Sequence, residues 1–438
     1  MNRHVLAVLL RPAHGQAGVI ALPVVAFGVV TALVLTILGG AQTFWTWTDD
    51  FAPMYWILVS IALALLIVPL LGLGGAAARL SARRRDERLS TLRLLGVTPA
   101  GVTIATVVES VLVAAIGAAA GLLVSLAITP LVGLVPFRGQ ALGAAAIILP
   151  AWQILAVVGA VLLLAALSAV IGLRRVVISP LGVRMRAQAT PAHWIRAVVV
   201  VLVIAAAFGA VNLFPQLGGL TGLLLLGGVF GAALAVLNLV GPWALKVSAR
   251  VQLRRAERPE RLLAARIVLD APKAAWRQVS GIAMASFMAV FAGTGVTLMS
   301  DLGDAGGPPE QAQLVADMRT GLVITLVASF LMVAASVGVN QAAGILDQRE
   351  LNRSLHHLGM PLETVDRARR RAIMSPLLVT ALGSAICAGV LIFPLLGIAM
   401  ILAPMSLVTI AAVLAAGVLL VWAVTRLTRP LLAREFAS

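Results

Sequence analysis

Glu109 is the one carboxylate set well inside a long apolar run, and its chemistry needs an account before any other. It lies seven to eight residues into the run Val102–Val132, about 10–12 Å at 1.5 Å per helical residue. A charge at the middle of a bilayer costs at least about 3 kcal/mol, so this side chain must face protein or water, or carry a proton. Two roles suit it: a contact for a proton or substrate, or a structural hydrogen bond to a neighbouring helix. The usual carriers of catalysis are thin elsewhere. The two lysines, Lys246 and Lys273, do not follow glycine, so the chain holds no Gly-x-x-x-x-Gly-Lys phosphate loop. The histidines His4, His14, His193, His356 and His357 have no partners at metal-ligand spacing, and His356 and His357 are adjacent rather than four apart. No Ser-His-Asp arrangement can be argued. The expectation is a chain that is not an enzyme and holds no metal or cofactor of its own.

The elements that position these residues follow from composition. Of 438 residues, 61% are hydrophobic and 11% charged, with a mean hydropathy of +1.04. Soluble domains are about half apolar and about a quarter charged, so a soluble domain is excluded, as are disorder and collagen-like repeats. A single cysteine, Cys387, excludes intrachain disulfides. A helical span needs about 20 apolar residues. Runs long enough are Gly18–Gly40, Met54–Ala76, Val102–Val132, Ala151–Leu173, Ala197–Phe214, Gly219–Leu245, Val279–Ser300, Arg319–Ala343, Ile373–Leu395 and Leu396–Leu427. They predict an all-α integral membrane protein with ten transmembrane helices, the last two joined by a tight hairpin at Pro394 and Gly397. The first run exceeds the about 7–15 apolar residues of a signal peptide, so it reads as a retained span.

Basic residues set the orientation. Two lie before the first span, six between Arg79 and Arg93, five from Arg174 to Arg196, nine from Lys246 to Arg277, six from Arg349 to Arg371 and three from Arg426 to Arg434. That is 31 of the 33; only Arg138 and Arg319 fall on the other side. Such a bias places both termini in the cytoplasm. Trp45, Trp47, Trp56 and Trp152 then fall at the outer interface, and Trp194, Trp243, Trp276 and Trp422 at the inner one. The outer loops Ala41–Pro53, Gly133–Pro150 and Asp301–Met318 are too short for an extracellular domain. They carry Asp49, Asp50, Asp301, Asp304, Glu310 and Asp317, charge that either attracts a cationic molecule or is simply solvated.

Two inner stretches read alike. Arg83–Gly96, continuing to Pro99, and Leu346–Gly359, continuing to Pro361, align at an offset of 263, with Glu87 on Glu350, Leu92 on Leu355, Leu95 on Leu358 and Gly96 on Gly359. Flanking pairs drift slightly: Pro12 with Pro272 and Gly117 with Gly383. Equivalent helices are six spans apart, an even number, which predicts two parallel four-helix repeats plus a central two-helix hairpin. The expected divisions are 1–180, 181–261 and 262–438. Leu80, Leu89, Leu92 and Leu95 share one face of a short helix, with Gly96 suited to its C-cap and Pro99 to a restart. Such a helix is either a basic anchor on anionic headgroups or a docking element that takes force from a cytoplasmic partner. Recurrence of the same Glu and the same Leu-x-x-Leu-Gly favours docking.

Arg-Arg-x-Glu, Leu-x-x-Leu-Gly, a turn and a Gly-spaced span together resemble the FtsX-like permease family, membrane subunits of type VII (MacB-like) ABC transporters. Arg84, Arg85, Glu87, Leu92, Arg93, Leu95, Gly96, Glu109, Gly117 and Gly121 carry the match from about Tyr55 to Pro180. A weaker copy over about Gly321 to Arg429 keeps Glu350, Leu355, Leu358 and Gly359, with His356 in place of Arg93 and Ser375 in place of Glu109. The resemblance implies coupling helices at about 79–96 and 345–359, seated on two copies of a separate cytoplasmic ABC ATPase that binds ATP and Mg. It also implies a structural role for Glu109, since the family often has a Glu there. The plan is similar to the ten-span bacitracin-type permeases, less their large extracellular domain. The function expected is a bacterial plasma-membrane permease that couples ATP hydrolysis to export or extraction of an amphipathic substrate, such as an antibiotic, antimicrobial peptide or lipid-like molecule. The alternative is a mechanotransmitting subunit that regulates a sensor kinase or other membrane partner without net transport. Apart from ATPase, bilayer and substrate no partner is implied, and the formal charge of +16 reads as topology plus docking, without nucleic acid.

Overall fold

A computed structural model describes residues 17–83, 99–178, 202, 205, 209, 219–304, 309–347, 354–355, 357–393, 396–397, 404–430 and 432–433. Its elements in chain order are α1 (Ala17–Trp45), α2 (Ala52–Arg83), α3 (Pro99–Val132), β1 (Pro136–Phe137), β2 (Gln140–Ala141), α4 (Ala144–Ile147), α5 (Ala151–Ile178), α6 (Gly219–Arg254), α7 (Pro259–Asp270), α8 (Pro272–Asp304), α9 (Pro309–Asp347), α10 (Leu362–Leu391) and α11 (Pro404–Leu427). The chain is an all-α integral membrane protein. Among the described residues nine helices are long and apolar enough to cross a bilayer. They coincide with nine of the ten expected runs. The other, Ala197–Phe214, lies outside the described residues except for Leu202, Ala205 and Gly209, which are helical.

Proline punctuates these helices. The helices α3, α7, α8, α9 and α11 each begin on one, where the missing N–H removes no intrahelical bond and φ is already helical. Pro23, Pro69, Pro130, Pro242 and Pro376 sit inside helices, which membrane helices tolerate where neighbours re-satisfy the freed carbonyl. Hydroxyls inside the helices bond backward along the same helix: Thr31 to the Phe27 carbonyl, Ser110 to Thr106, Thr129 to Ser125 and Thr297 to Gly293. Each is thereby satisfied without water.

The contacts divide the chain into two units, residues 1–185 with 334–347, and residues 186–333 with 348–438. In the first, α1 and α3 form the most extensive pair, with α2 and α5 packed around them. Gly117-x-x-x-Gly121 makes this possible. A Cβ on Gly117 would lie 2.7 Å from the Val24 carbonyl oxygen and 2.8 Å from Phe27 Cβ. One on Gly121 would collide with the Gly28 carbonyl oxygen and stand 2.8 Å from Thr31 Cβ. Two backbones thus meet directly, the small-xxx-small mode of membrane helix association. Thr36 and Ser125 hydroxyls, 3.2 Å apart, add a polar link between the same two helices. Ser168 on α5 donates to the Ala78 carbonyl on α2 at 2.9 Å, and Ser336 on α9 donates to the Gly72 carbonyl at 3.3 Å.

In the second unit the most extensive pair is α8 with α10, and α6, α7 and α11 pack against them. The buried centre includes Phe287, with Phe230 and Phe291 at ring-centroid distances of 5.5 and 5.7 Å from it. Trp276, assigned to the inner interface from sequence, is instead 5% exposed. Its indole lies against Gly241, and its Nε1 donates to Asn238 Oδ1 at 2.7 Å. Trp45, Trp56, Trp152, Trp243 and Trp422 are exposed, as residues of an aromatic belt are.

Candidate functional site

The repeated stretch is described at its second-copy end. Glu350, and in the first copy Arg84, Arg85, Glu87, Leu92, Arg93, Leu95 and Gly96, lie outside the described residues. At the second copy, Gly359 has φ +81°. The Met360 N–H donates to the Leu355 carbonyl at 2.9 Å, across five residues, and the Leu358 N–H to the Ser354 carbonyl at 3.0 Å. This is a Schellman C-cap with Gly359 in the left-handed position, the geometry that glycine adopts without a Cβ penalty. The cap ends the stretch sharply, and α10 restarts at Leu362, directly after Pro361. Leu355 is half-buried, while Leu358 is 82% exposed at the tip of the turn.

Glu109 is half-buried on α3 and engages another group. Its counterpart in the second copy is informative. Ser375 on α10 donates to Gln252 Oε1 on α6 at 2.8 Å, so this repeat position makes a helix-to-helix hydrogen bond.

A charged cluster that the motif spacing does not single out lies just beyond the glycine turn. Asp366, in the second turn of α10, is 2% exposed. Its carboxylate faces Arg370 Nη2 at 3.1 Å and Arg369 Nη2 at 3.5 Å. Arg369 Nη2 also donates to Thr428 Oγ1 at 3.0 Å, tying α10 to the residue that follows α11. Arg369 Nε and Nη1 and Arg370 Nε have no hydrogen-bond partner among the described residues. The i, i+3 and i+4 spacing of Asp366, Arg369 and Arg370 is the signal that the sequence offers for it. By contrast, the Glu363–Arg367 pair on the same helix, 3.0 Å apart, is 65% and 56% exposed.

In the first unit a small cap closes one end of the bundle. Arg138 and Gly139, with φ of 54° and 73°, make the two-residue turn between β1 and β2, which requires positive φ at both central positions. The turn aims the Arg138 guanidinium over the Trp47 ring at 3.8 Å and the Tyr55 ring at 4.6 Å, and onto Asp49 Oδ1 at 2.9 Å. Desolvation alone would raise the Asp49 pKa; the hydrogen bond and charge of Arg138, with backbone N–H groups, outweigh it and hold the carboxyl below its ordinary value. Gln42 Nε2 donates to the Ala146 and Ile148 carbonyls at 3.2 and 2.9 Å, fastening loop 133–150 to the end of α1. One of the two basic residues that break the charge bias is therefore a structural clasp.

Among the described residues no group of three or more His, Cys, Asp or Glu is placed to hold a metal ion. No curated protein matches the chain. Residues 75–181, which span the end of α2, the first repeated stretch, α3 and α5, match the model of the FtsX-like permease C-terminal domain. Over this segment, about a quarter of its length, the chain is similar to the FtsX-like permease family, whose members are membrane subunits of ABC-type systems that generally work with an ATPase partner.

Proposed function

We propose that the chain is the permease subunit of a bacterial plasma-membrane ABC exporter, seated on two copies of a separate cytoplasmic ATPase through the stretches 79–96 and 345–359. The observation that carries this reading is the family match over residues 75–181, together with a second copy of the same motif 263 residues on. ATP and Mg are bound by the partner. Closure of two ATPases presses on both stretches, and the spans behind them move as levers that extract or expel an amphipathic molecule.

The local geometry supports a force-bearing role for the second stretch. A helix that ends on a Schellman glycine and restarts after one proline has a fixed exit angle, so a push on it is delivered to α10 rather than lost in a loose linker. Two residues beyond Glu363, α10 becomes anchored on its buried side, at Val365 and by the buried ion cluster at Asp366. Leu358 presents an apolar side chain to a partner. Ser375 braces the bundle through its hydrogen bond to Gln252 on α6, and Glu109 at the matching position of the first copy takes the structural role in this reading. Co-purification of the tagged chain from cells that also express its ATPase, followed by mass measurement of the complex, tests the reading: two ATPases per permease are expected, and failure of any ABC ATPase to associate with the permease under every nucleotide condition contradicts it.

A further inference from the structure

With Arg138 absorbed into the cap, Arg319 is the other basic residue set apart from the inner cluster. It is exposed on α9 and has no ion-pair or hydrogen-bond partner among the described residues. It also lines a cavity of the second unit, of about 420 Å³, between α8, α9 and α11. That volume is at the low end of small-molecule pockets, about 300–1,000 Å³. Ala312, Ala316 and Arg319, one face of α9, are exposed at its mouth; Gly293, Thr297 and Leu326 are buried in its floor. Gly293 is open by necessity, since a Cβ there would stand 2.5 Å from Ile410 Cδ1.

Depth decides what fits. The apolar span in α9 runs Ala312–Ile345, 34 residues, or about 51 Å at 1.5 Å per residue, against a hydrocarbon core of about 30 Å. The cavity lining on α9 runs from Ala312 to Leu326 with Arg319 midway, and the uninterrupted apolar stretch begins only after Arg319, so the guanidinium is placed at headgroup level and the half of the cavity beyond it in the hydrocarbon layer. From Arg319 to Leu326 is seven residues, about 10 Å. Asp317 is buried and engaged with another group, and among the described residues no acidic side chain lines the cavity. An exposed cation beside the apolar half of such a slot is complementary to a molecule with an anionic head and an alkyl chain.

We propose that this cavity binds an anionic phospholipid from the surrounding bilayer, with one acyl chain between α8, α9 and α11 and the phosphate on Arg319. The volume has room for one chain and not for a whole two-chain lipid, so the second chain remains in the bilayer. Binding requires nothing of an ATPase; that such a lipid, or an amphiphile of the same chemistry, is the cargo rests on the permease reading above.

The test uses the full chain, purified without its ATPase in non-ionic detergent and titrated with phosphatidylglycerol and phosphatidylcholine of identical chains, bound lipid being counted by native mass spectrometry. Wild type is expected to bind phosphatidylglycerol about ten-fold more tightly, the scale of one charge-assisted hydrogen-bond set. Arg319→Gln is expected to erase the preference and Arg319→Lys to keep most of it. Ala316→Trp, which fills the mouth from an exposed position, is expected to weaken both lipids. On the wild-type protein, tetradecyl phosphate is expected to displace phosphatidylglycerol and inorganic phosphate is not. Equal binding of the two lipids by wild type, an intact preference in Arg319→Gln, or displacement by inorganic phosphate alone overturns the proposal. Lipid binding without any stimulation of ATP hydrolysis in the assembled complex leaves this site standing and removes the transport reading instead.

Discussion

Asp366→Asn removes one charge while keeping the shape of the side chain, and the structure gives the size of the consequence. The carboxylate faces two guanidinium groups at 3.1 and 3.5 Å, and the two arginine side chains are only 24% and 17% exposed. At an effective dielectric of about 20, each attraction is about 5 kcal/mol in gross terms. Most of that offsets the cost of desolvating three charges, so the whole cluster contributes little net stability. Breaking it is another matter. Asparagine leaves two buried cations facing each other, with three of their N–H groups already unpartnered. Loss of one partner from a buried pair costs about 3–5 kcal/mol. At about 2–4 °C per kcal/mol, the thermal unfolding midpoint of the detergent-solubilised chain should fall by on the order of 10 °C. Glu363→Ala, which breaks the exposed pair one turn earlier, is the control and should cost less than about 1 kcal/mol. In a double-mutant cycle, Asp366→Asn with Arg370→Gln should cost well below the sum of the single changes. A midpoint for Asp366→Asn within about 2 °C of wild type, or strict additivity in the cycle, would show that the three charges do not act as a buried cluster.

Gly121→Ala places a methyl group against the Gly28 carbonyl and should destabilise the α1–α3 pair by about 1–3 kcal/mol, whereas Gly72→Ala, with open space around it, should be tolerated; thermal unfolding of both separates them. Gly359→Ala forces a Cβ into a position of φ +81° and should cost about 1–2 kcal/mol, with a larger proportional loss of ATPase coupling than of stability. The pH dependence of the cap follows from Asp49. Its pKa is lowered in the folded chain, so its contribution is fully present above the ordinary carboxylate value of about 3.9 and is lost as pH falls through the lower folded value. With Trp47 kept as the sole tryptophan, its fluorescence should change below about pH 4 and should no longer do so in Arg138→Gln.

Much of the fold is legible in the amino-acid order alone, because in a bilayer the backbone must satisfy itself and helix is the form an apolar run takes. Among the described residues, the nine spans and the C-cap glycine at the end of the motif follow from periodicity and from glycine and proline chemistry. What is not legible depends on three-dimensional partners. Trp276 has the composition of an interface residue, yet α6 offers it Asn238 and the bare backbone of Gly241, and it goes inside. Arg138 has the character of stray outer charge, and only a two-residue turn aims it at Trp47, Tyr55 and Asp49. Asp366 stands in a basic stretch like any solvated carboxylate; the proximity of Thr428 and of its own arginines one turn on shows that it is buried. The cavity at Arg319 has no local signature, since its walls come from α8, α9 and α11, the last of which lies far along the chain from the other two.

The decisive property of the chain is whether its two repeated stretches couple it to an ATPase. The direct measurement is ATP hydrolysis by the reconstituted complex carrying Glu87→Ala and Glu350→Ala together, with ATPase binding measured in parallel. Substrate-stimulated hydrolysis is expected to be lost, with docking weakened or lost and the permease fold intact by thermal unfolding. Full docking with fully stimulated hydrolysis in the double variant would contradict that coupling.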